Sequence, residues 1–164
     1  MKPIVSIIMG STSDLPVMEK AAAFFDQMEI PFEMLALSAH RTPREVEEFA
    51  SNAKARGIKV IIAAAGMAAH LAGVLAAHTT IPVIGIPIKS ASFDGMDALL
   101  SIVQMPSGIP VATVAINGGK NAAYLALQIM GIKHPEIKDK LSAYRKQMDE
   151  DAMKANEEVI AKYK

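Results

Sequence analysis

Short apolar runs alternate along this chain with longer stretches of helical periodicity. IVSIIM (4–9), FEMLAL (32–37), VIIAAA (60–65), PVIGI (82–86) and VATVAI (111–116) read as β-strands. The first, third, fourth and fifth are apolar at almost every position, as parallel strands covered on both faces require. Between them the pattern predicts helices near 15–29, 43–56, 68–78, 95–104 and 119–131. A repeated β-α unit of this kind predicts an open parallel sheet with helices on both sides. No internal repeat, low-complexity tract or linker interrupts it. Residues 1–164 are therefore expected to form a single domain, an α/β core over 1–134 followed by a C-terminal helix over 135–164.

The tail is patterned differently. From Pro135 on, Ile137, Leu141, Tyr144, Met148, Ala152, Ala155 and Val159 recur at spacings of three and four, a thin apolar stripe on a long charged helix. A stripe that narrow suits a helix packed partly on a neighbouring subunit, and suits equally one lying on its own domain.

Composition narrows the chemistry. The chain is 51% apolar with no tryptophan and few aromatics, so its core must be built from Ile, Val, Leu, Met and many alanines. Lysine plus arginine number 17, as do aspartate plus glutamate, and no global basic field attracts nucleic acid or an anionic membrane. Any anion must be held by a local site. With no cysteine, disulfides, thiol chemistry and cysteine-based zinc sites are excluded. MKPIVSIIMGS reaches a turn too soon for a signal peptide, and no apolar stretch is long enough to cross a bilayer. A soluble cytoplasmic protein is the expectation.

In open α/β sheets, ligands bind beyond the carboxyl ends of the strands, where loops lead into helix N-termini. Three polar loops hold that position: GSTSD (10–14), SAHRTP (38–43) and AGMAAH (65–70). They converge on one crevice if the first strand lies between the second and third. In GSTSDLP, Gly10 permits a tight turn, and Ser11 and Ser13 offer hydroxyls and N–H groups at a helix start where a phosphate would fit. The same residues also serve as ordinary caps, Ser13 or Asp14 at the N-cap and Pro16 in the first turn. No G-x-x-x-x-G-K-[ST] loop occurs: NGGKN (117–121) has asparagine where the hydroxyl would stand. There is no dinucleotide fingerprint.

The second loop is richer. Thr42, Pro43 and Glu45 match an N-cap, a first-turn proline and a capping-box glutamate, which accounts for T-P-x-E without any function. It does not account for His40 and Arg41. Arginine there suits a bidentate phosphate contact, with Ser38 adding a hydroxyl. A bound phosphate would neutralise Arg41 and leave His40 free to act as acid and base. His70, expected early in an alanine-rich helix, reads either as a hydrogen-bonded core residue or as a second functional group at the same crevice. His78 reads as a surface residue compensating a helix C-terminus. His134 precedes a proline in a loop and carries no signal. No histidines and carboxylates have metal-ligand spacing, so no metal is expected.

MGSTSD, SAHRTP, AAHLAGV, SIVQMPSGIPVATVAI and NAAYLALQIM follow one another in an order and spacing that resemble the bacterial 5-(carboxyamino)imidazole ribonucleotide mutases of purine biosynthesis. The resemblance spans about residues 4 to 131 and more loosely the tail. It implies a flavodoxin-like three-layer α/β/α sandwich and a homo-octamer in which the tail helix reaches a neighbouring subunit. It also implies an isomerase that moves a carboxylate from the exocyclic nitrogen of an aminoimidazole ribonucleotide to the ring carbon, with no metal, nucleotide cofactor or ATP. By matching positions, Ser11, Ser13, Ser38 and Arg41 would hold the 5′-phosphate, and Asp14 would accept hydrogen bonds from the ribose. His40 would be the acid/base, and His70 would lie beside the imidazole and the migrating carboxylate. The chain departs from the family's usual G-G-A-A-H-L-P-G at Met67 and Ala72, and a methionine at 67 would be strained if the backbone there needed a positive φ. Two other readings stand beside this one: an aminoimidazole ribonucleotide carboxylase using dissolved CO2, and a non-catalytic nucleotide-binding module.

Overall fold

The computed structural model describes residues 2–164. Two compact units divide the chain, Met1–Ala126 and Leu127–Lys164. The first holds β1 (Val5–Met9), α1 (Leu15–Gln27), β2 (Phe32–Ala36), α2 (Pro43–Ala53), β3 (Val60–Gly66), α3 (Leu71–His78), β4 (Val83–Ile88), α4 (Met96–Val103) and β5 (Ala112–Thr113). α5 (Gly119–Gly131) runs across the boundary, and α6 (Pro135–Lys162) fills most of the second unit.

The sheet is parallel throughout, in the order β2-β1-β3-β4-β5. That order, with helical crossovers, is the flavodoxin-like arrangement, and it places β1 between β2 and β3. Every residue of β1 and β4, and all of β3 but its last, is buried, which is why these strands carry continuous apolar runs. Alternate side chains feed two cores. Ile8, Ile61, Ala63 and Val83 join Val46, Phe49, Leu71, Leu75 and Ile102, so α2, α3 and α4 cover one face. On the other face Phe25 of α1 meets Phe32 of β2 with ring centroids 5.7 Å apart, and Phe24 stacks on Tyr124 of α5 at 5.8 Å. Close packing is enforced at two glycines. A Cβ on Gly85 would stand 2.4 Å from Ile102 Cγ2, and one on Gly119 would stand 2.2 Å from the Val17 carbonyl oxygen.

The elements differ from the sequence expectation mostly at their ends. β4 runs on to Ile88, paired with Gly66 of β3. β5 shrinks to two residues; beyond it the Val114 and Asn117 amides still donate to Gly85 and Pro87 of β4, outside regular register. The helix expected from residue 68 starts at Leu71. Met67 turns the chain with φ of 55°, and Ala69 N–H closes that turn onto the Met67 carbonyl. Thr42 does precede α2, but its hydroxyl makes no cap bond to the helix and instead ties back to Ser38.

In the second unit α6 is one uninterrupted helix. Of its apolar stripe Ile137 and Leu141 are buried, while Met148 and Val159 are exposed. Among the described residues no helix is long and apolar enough to cross a membrane.

Candidate active site

The strand order brings the loops after β1, β2 and β3 together at the carboxyl edge of the sheet. They border an open crevice of about 580 Å³, and Ser11, Ser13, Asp14, Ser38, His40, Arg41 and His70 all line it.

The β1 loop is a single 3-10 turn, Thr12–Asp14, whose N-cap is Ser11. Ser11 Oγ accepts from the Ser13 amide at 3.3 Å and from the Ser13 hydroxyl at 2.9 Å. Asp14 directly precedes α1 yet makes no cap bond with its side chain. It is 6% exposed, one of the few polar residues buried in this chain. Burial pushes its carboxyl above the ordinary aspartate range, and hydrogen bonds from the Ser11 backbone and the Ser13 side chain draw it partly back.

The β2 loop folds around Ser38. Its amide donates to Thr42 Oγ1 at 2.9 Å, and its carbonyl accepts from the Thr42 amide at 2.9 Å and hydroxyl at 3.1 Å. Threonine is thus spent on shaping the loop. Ser38 Oγ accepts from the Arg41 amide at 3.2 Å and from Arg41 Nε at 3.4 Å, while a terminal nitrogen of Arg41 donates to the Gly10 carbonyl at 3.2 Å. The guanidinium bridges the first two loops. It is exposed and has no carboxylate partner among the described residues. Serine hydroxyls, the head of a helix and an unneutralised arginine make a position suited to a phosphate.

From the β3 loop, His70 meets His40. Nε2 of His40 and Nδ1 of His70 are 2.6 Å apart, with ring planes at 76° and centroids separated by 4.8 Å. His70 is the N-cap residue of α3 rather than a member of it, and its ring points away from the alanine-rich core. Met67, 62% exposed at φ of 55°, forms the rim. The remaining histidines lie elsewhere. His78 closes the last turn of α3, and His134 caps α6 with its Nδ1 3.2 Å from Glu136. No group of three metal-ligating side chains occurs among the described residues.

A fourth loop, absent from the sequence reading, also borders the crevice through Ile88, Lys89 and Ser90. Its position after β4 was the only available signal. The Lys89 amide donates to Asn117 Oδ1 at 3.0 Å, from an asparagine held at φ of 58°, so the loop after β5 braces it. Ser90 Oγ is buried without a hydrogen-bond partner among the described residues.

The sequence matches the AIR carboxylase family over residues 4–151. An N5-carboxyaminoimidazole ribonucleotide mutase of Pyrococcus horikoshii is 62% identical over 147 residues, 90% of this chain and 83% of that protein. A phosphoribosylaminoimidazole carboxylase of Candida glabrata is 53% identical over 161 residues, 98% of this chain but only 27% of that longer protein. The crystal structure of Treponema denticola PurE superposes with a TM-score of 0.86 at 32% identity, covering 95% of this chain and 98% of that one. With a match that spans most of its length, a shared fold and the motif residues gathered at one crevice, the chain belongs to the AIR carboxylase family.

Proposed function

We propose that this protein is an isomerase of purine biosynthesis that converts 5-(carboxyamino)imidazole ribonucleotide to 4-carboxy-5-aminoimidazole ribonucleotide. The observation that carries the reading is the convergence of His40 and His70 beside the Ser11, Ser13, Ser38 and Arg41 position. One end of the crevice suits the 5′-phosphate, the other presents proton-transfer groups, and the distance between them is bridged by a ribosyl imidazole. Asp14 accepts hydrogen bonds from the ribose hydroxyls.

The chemistry follows from the two bonds exchanged. Cleaving the N–carboxylate bond returns its electron pair to the exocyclic nitrogen as CO2 leaves, and that nitrogen takes a proton from His40. The electron-rich ring carbon then attacks CO2, and the proton on that carbon passes to His40 as the ring regains aromaticity. One histidine gives a proton and recovers one, so no net proton is consumed. The phosphate contacts fix the ring between the steps, and the alanines around the crevice limit escape of CO2. His70 stands beside the carboxylate in transit.

Assembly and location belong to the same reading. The exposed half of the α6 stripe suits contact with another copy, consistent with a homo-octamer, and the metabolic role fits the cytoplasm. The protein binds a small ribonucleotide, and the scheme above uses only side chains of the chain.

Turnover of the unlabelled carboxyamino substrate in labelled bicarbonate tests the reaction. Little label in the first-formed product is expected. Full equilibration from the first turnover, or activity on the uncarboxylated nucleotide alone, would instead make this a carboxylase using dissolved CO2, the activity named for the Candida glabrata relative. His40→Asn should abolish turnover while leaving nucleotide affinity within roughly tenfold, since binding rests mainly on the phosphate contacts. Binding without any turnover by the unmodified protein would indicate a non-catalytic module.

A further inference from the structure

The substrate that fits this crevice carries two anionic groups, a phosphate and a carboxylate, and Arg41 accounts only for the first. Among the described residues the charged side chains lining the crevice are Asp14, Arg41 and Lys89. The phosphate position lies between the loops after β1 and β2, whereas Lys89 follows β4, two strands beyond β1 in the order β2-β1-β3-β4. Two strand spacings amount to about 10 Å, comparable to the reach of a ribosyl imidazole from its phosphate to the far edge of its ring. The loop between them in that order is the one that carries His70. Gly66 pairs with Ile88, so Lys89 leaves the sheet level with Met67, where the turn leading to His70 begins. The crevice thus has one cation at each end, matching the two anionic ends of the ligand.

The backbone of Lys89 is fixed and its side chain is not. Its amide donates to Asn117 Oδ1 at 3.0 Å, and Asn117, held at φ of 58°, donates its own amide to the Pro87 carbonyl at 2.8 Å. From the other side Gly95 presses close at φ of 92°. A Cβ there would stand 3.2 Å from Lys89 Cα and 2.7 Å from Ile116 Cγ2. The ammonium has only a loose partner, Asp94 Oδ1 at 3.6 Å, with the two side chains 59% and 82% exposed. That separation is too long for a hydrogen bond, and an ion pair so open to solvent is worth little. Lys89 therefore presents a charge on a flexible stem from an anchored base, and loses almost nothing by exchanging Asp94 for a ligand.

We propose that Lys89 is the residue that recognises the carboxylate of the ligand, so that the crevice selects carboxylated over uncarboxylated aminoimidazole ribonucleotides. The inference rests on the mutase reading and deepens it: Arg41 holds the phosphate, His40 and His70 face the reacting centre, and Lys89 pairs with the carboxylate beyond them. It is a contact of bound substrate and bound product, because the carboxylate gives up its charge as CO2 forms.

The test is calorimetric titration of the full-length protein with two ribonucleotides of the same shape. One is the product, with a carboxylate on the ring carbon, and the other is its carboxamide analogue, neutral at that position. Lys89→Met keeps an apolar stem and removes the charge. It should weaken the product about fivefold and leave the carboxamide within about twofold. Removing the lysine also leaves Asp94 without its partner, and a bare Asp94 would itself repel a carboxylate. Asp94→Asn separates the two effects, since asparagine tolerates the φ of 53° at that position. On that background Lys89→Met should carry the same fivefold penalty on the product. An equal penalty on both ligands, no penalty on the product, or a penalty that vanishes on the Asp94→Asn background would each overturn the proposal while leaving the assigned reaction standing. If the parent protein bound neither ribonucleotide, the mutase reading would fall and this inference with it.

Discussion

Replacing Arg41 by alanine separates binding from folding at this site. Among the described residues the guanidinium has only neutral partners, Ser38 Oγ at 3.4 Å and the Gly10 carbonyl at 3.2 Å, and it is exposed. Two long hydrogen bonds at the surface contribute little, so Arg41→Ala should cost at most about 1 kcal/mol of stability. A phosphate docked between the first two loops changes the balance, because the same side chain then makes a charged, forked contact. Hydrogen bonds to charged groups are worth about 1.5–3 kcal/mol. Taking roughly 2 kcal/mol for a site still open to solvent, affinity should fall about thirtyfold.

The assay is calorimetric titration of the purified variant with the product ribonucleotide and, separately, with its nucleoside lacking the phosphate. Arg41→Ala should weaken the first and leave the second unchanged, so that the coupling between the side chain and the phosphate is read directly. Arg41→Lys should restore only part of the loss, since an ammonium cannot reproduce the fork. Raising the salt concentration should weaken the parent protein more than the alanine variant. An equal penalty on nucleotide and nucleoside, or no penalty on either, would refute the assignment of Arg41 to the phosphate.

Four further outcomes are expected. Asp14 has its carboxyl raised by burial, so the folded state binds a proton more readily than the unfolded chain, and stability falls as pH rises from the unfolded value of 3.8 through the higher folded one. Asp14→Asn should therefore raise Tm at neutral pH, with the gain vanishing below that window, and should weaken ribonucleotide binding. Met67→Val places a β-branched residue at φ of 55° and should cost about 1–2 kcal/mol by denaturant midpoint, whereas Met67→Gly should be no less stable than the parent. Gly119→Ala drives a methyl to 2.2 Å from the Val17 carbonyl and should destabilise by about 1–3 kcal/mol in thermal melts. The double variant Met148→Lys, Val159→Lys changes two exposed positions of the α6 stripe and should lower the assembled mass seen by light scattering without loss of helicity.

The sheet was legible because its strands are buried on both faces. Continuous apolar runs such as VSIIM and VIIAAA leave little else for those segments to be, and helices of the right length between them dictate parallel crossovers. What composition could not supply was backbone geometry at the strand ends. The start of α3 hides behind Met67, whose positive φ cannot be inferred from a methionine, and so His70 emerges as a cap residue turned toward His40. The capping signature at Thr42 was misleading for a related reason: its hydroxyl has two possible uses, and shaping the Ser38 loop wins over capping α2. The three-loop crevice depended on strand order, and once β1 lies between β2 and β3 the histidine and arginine of one loop must face the serines of another. The same order, with β4 beside β3, brings Lys89 and Ser90 to the crevice, a consequence of the topology that no motif in IPIKSAS announces. Site residues on this scaffold are thus of two kinds. Those with unusual chemistry for their position, His40 beside Arg41, stand out in sequence, whereas those brought to the crevice only by a neighbouring strand, Lys89 and Ser90, become visible when the sheet is assembled.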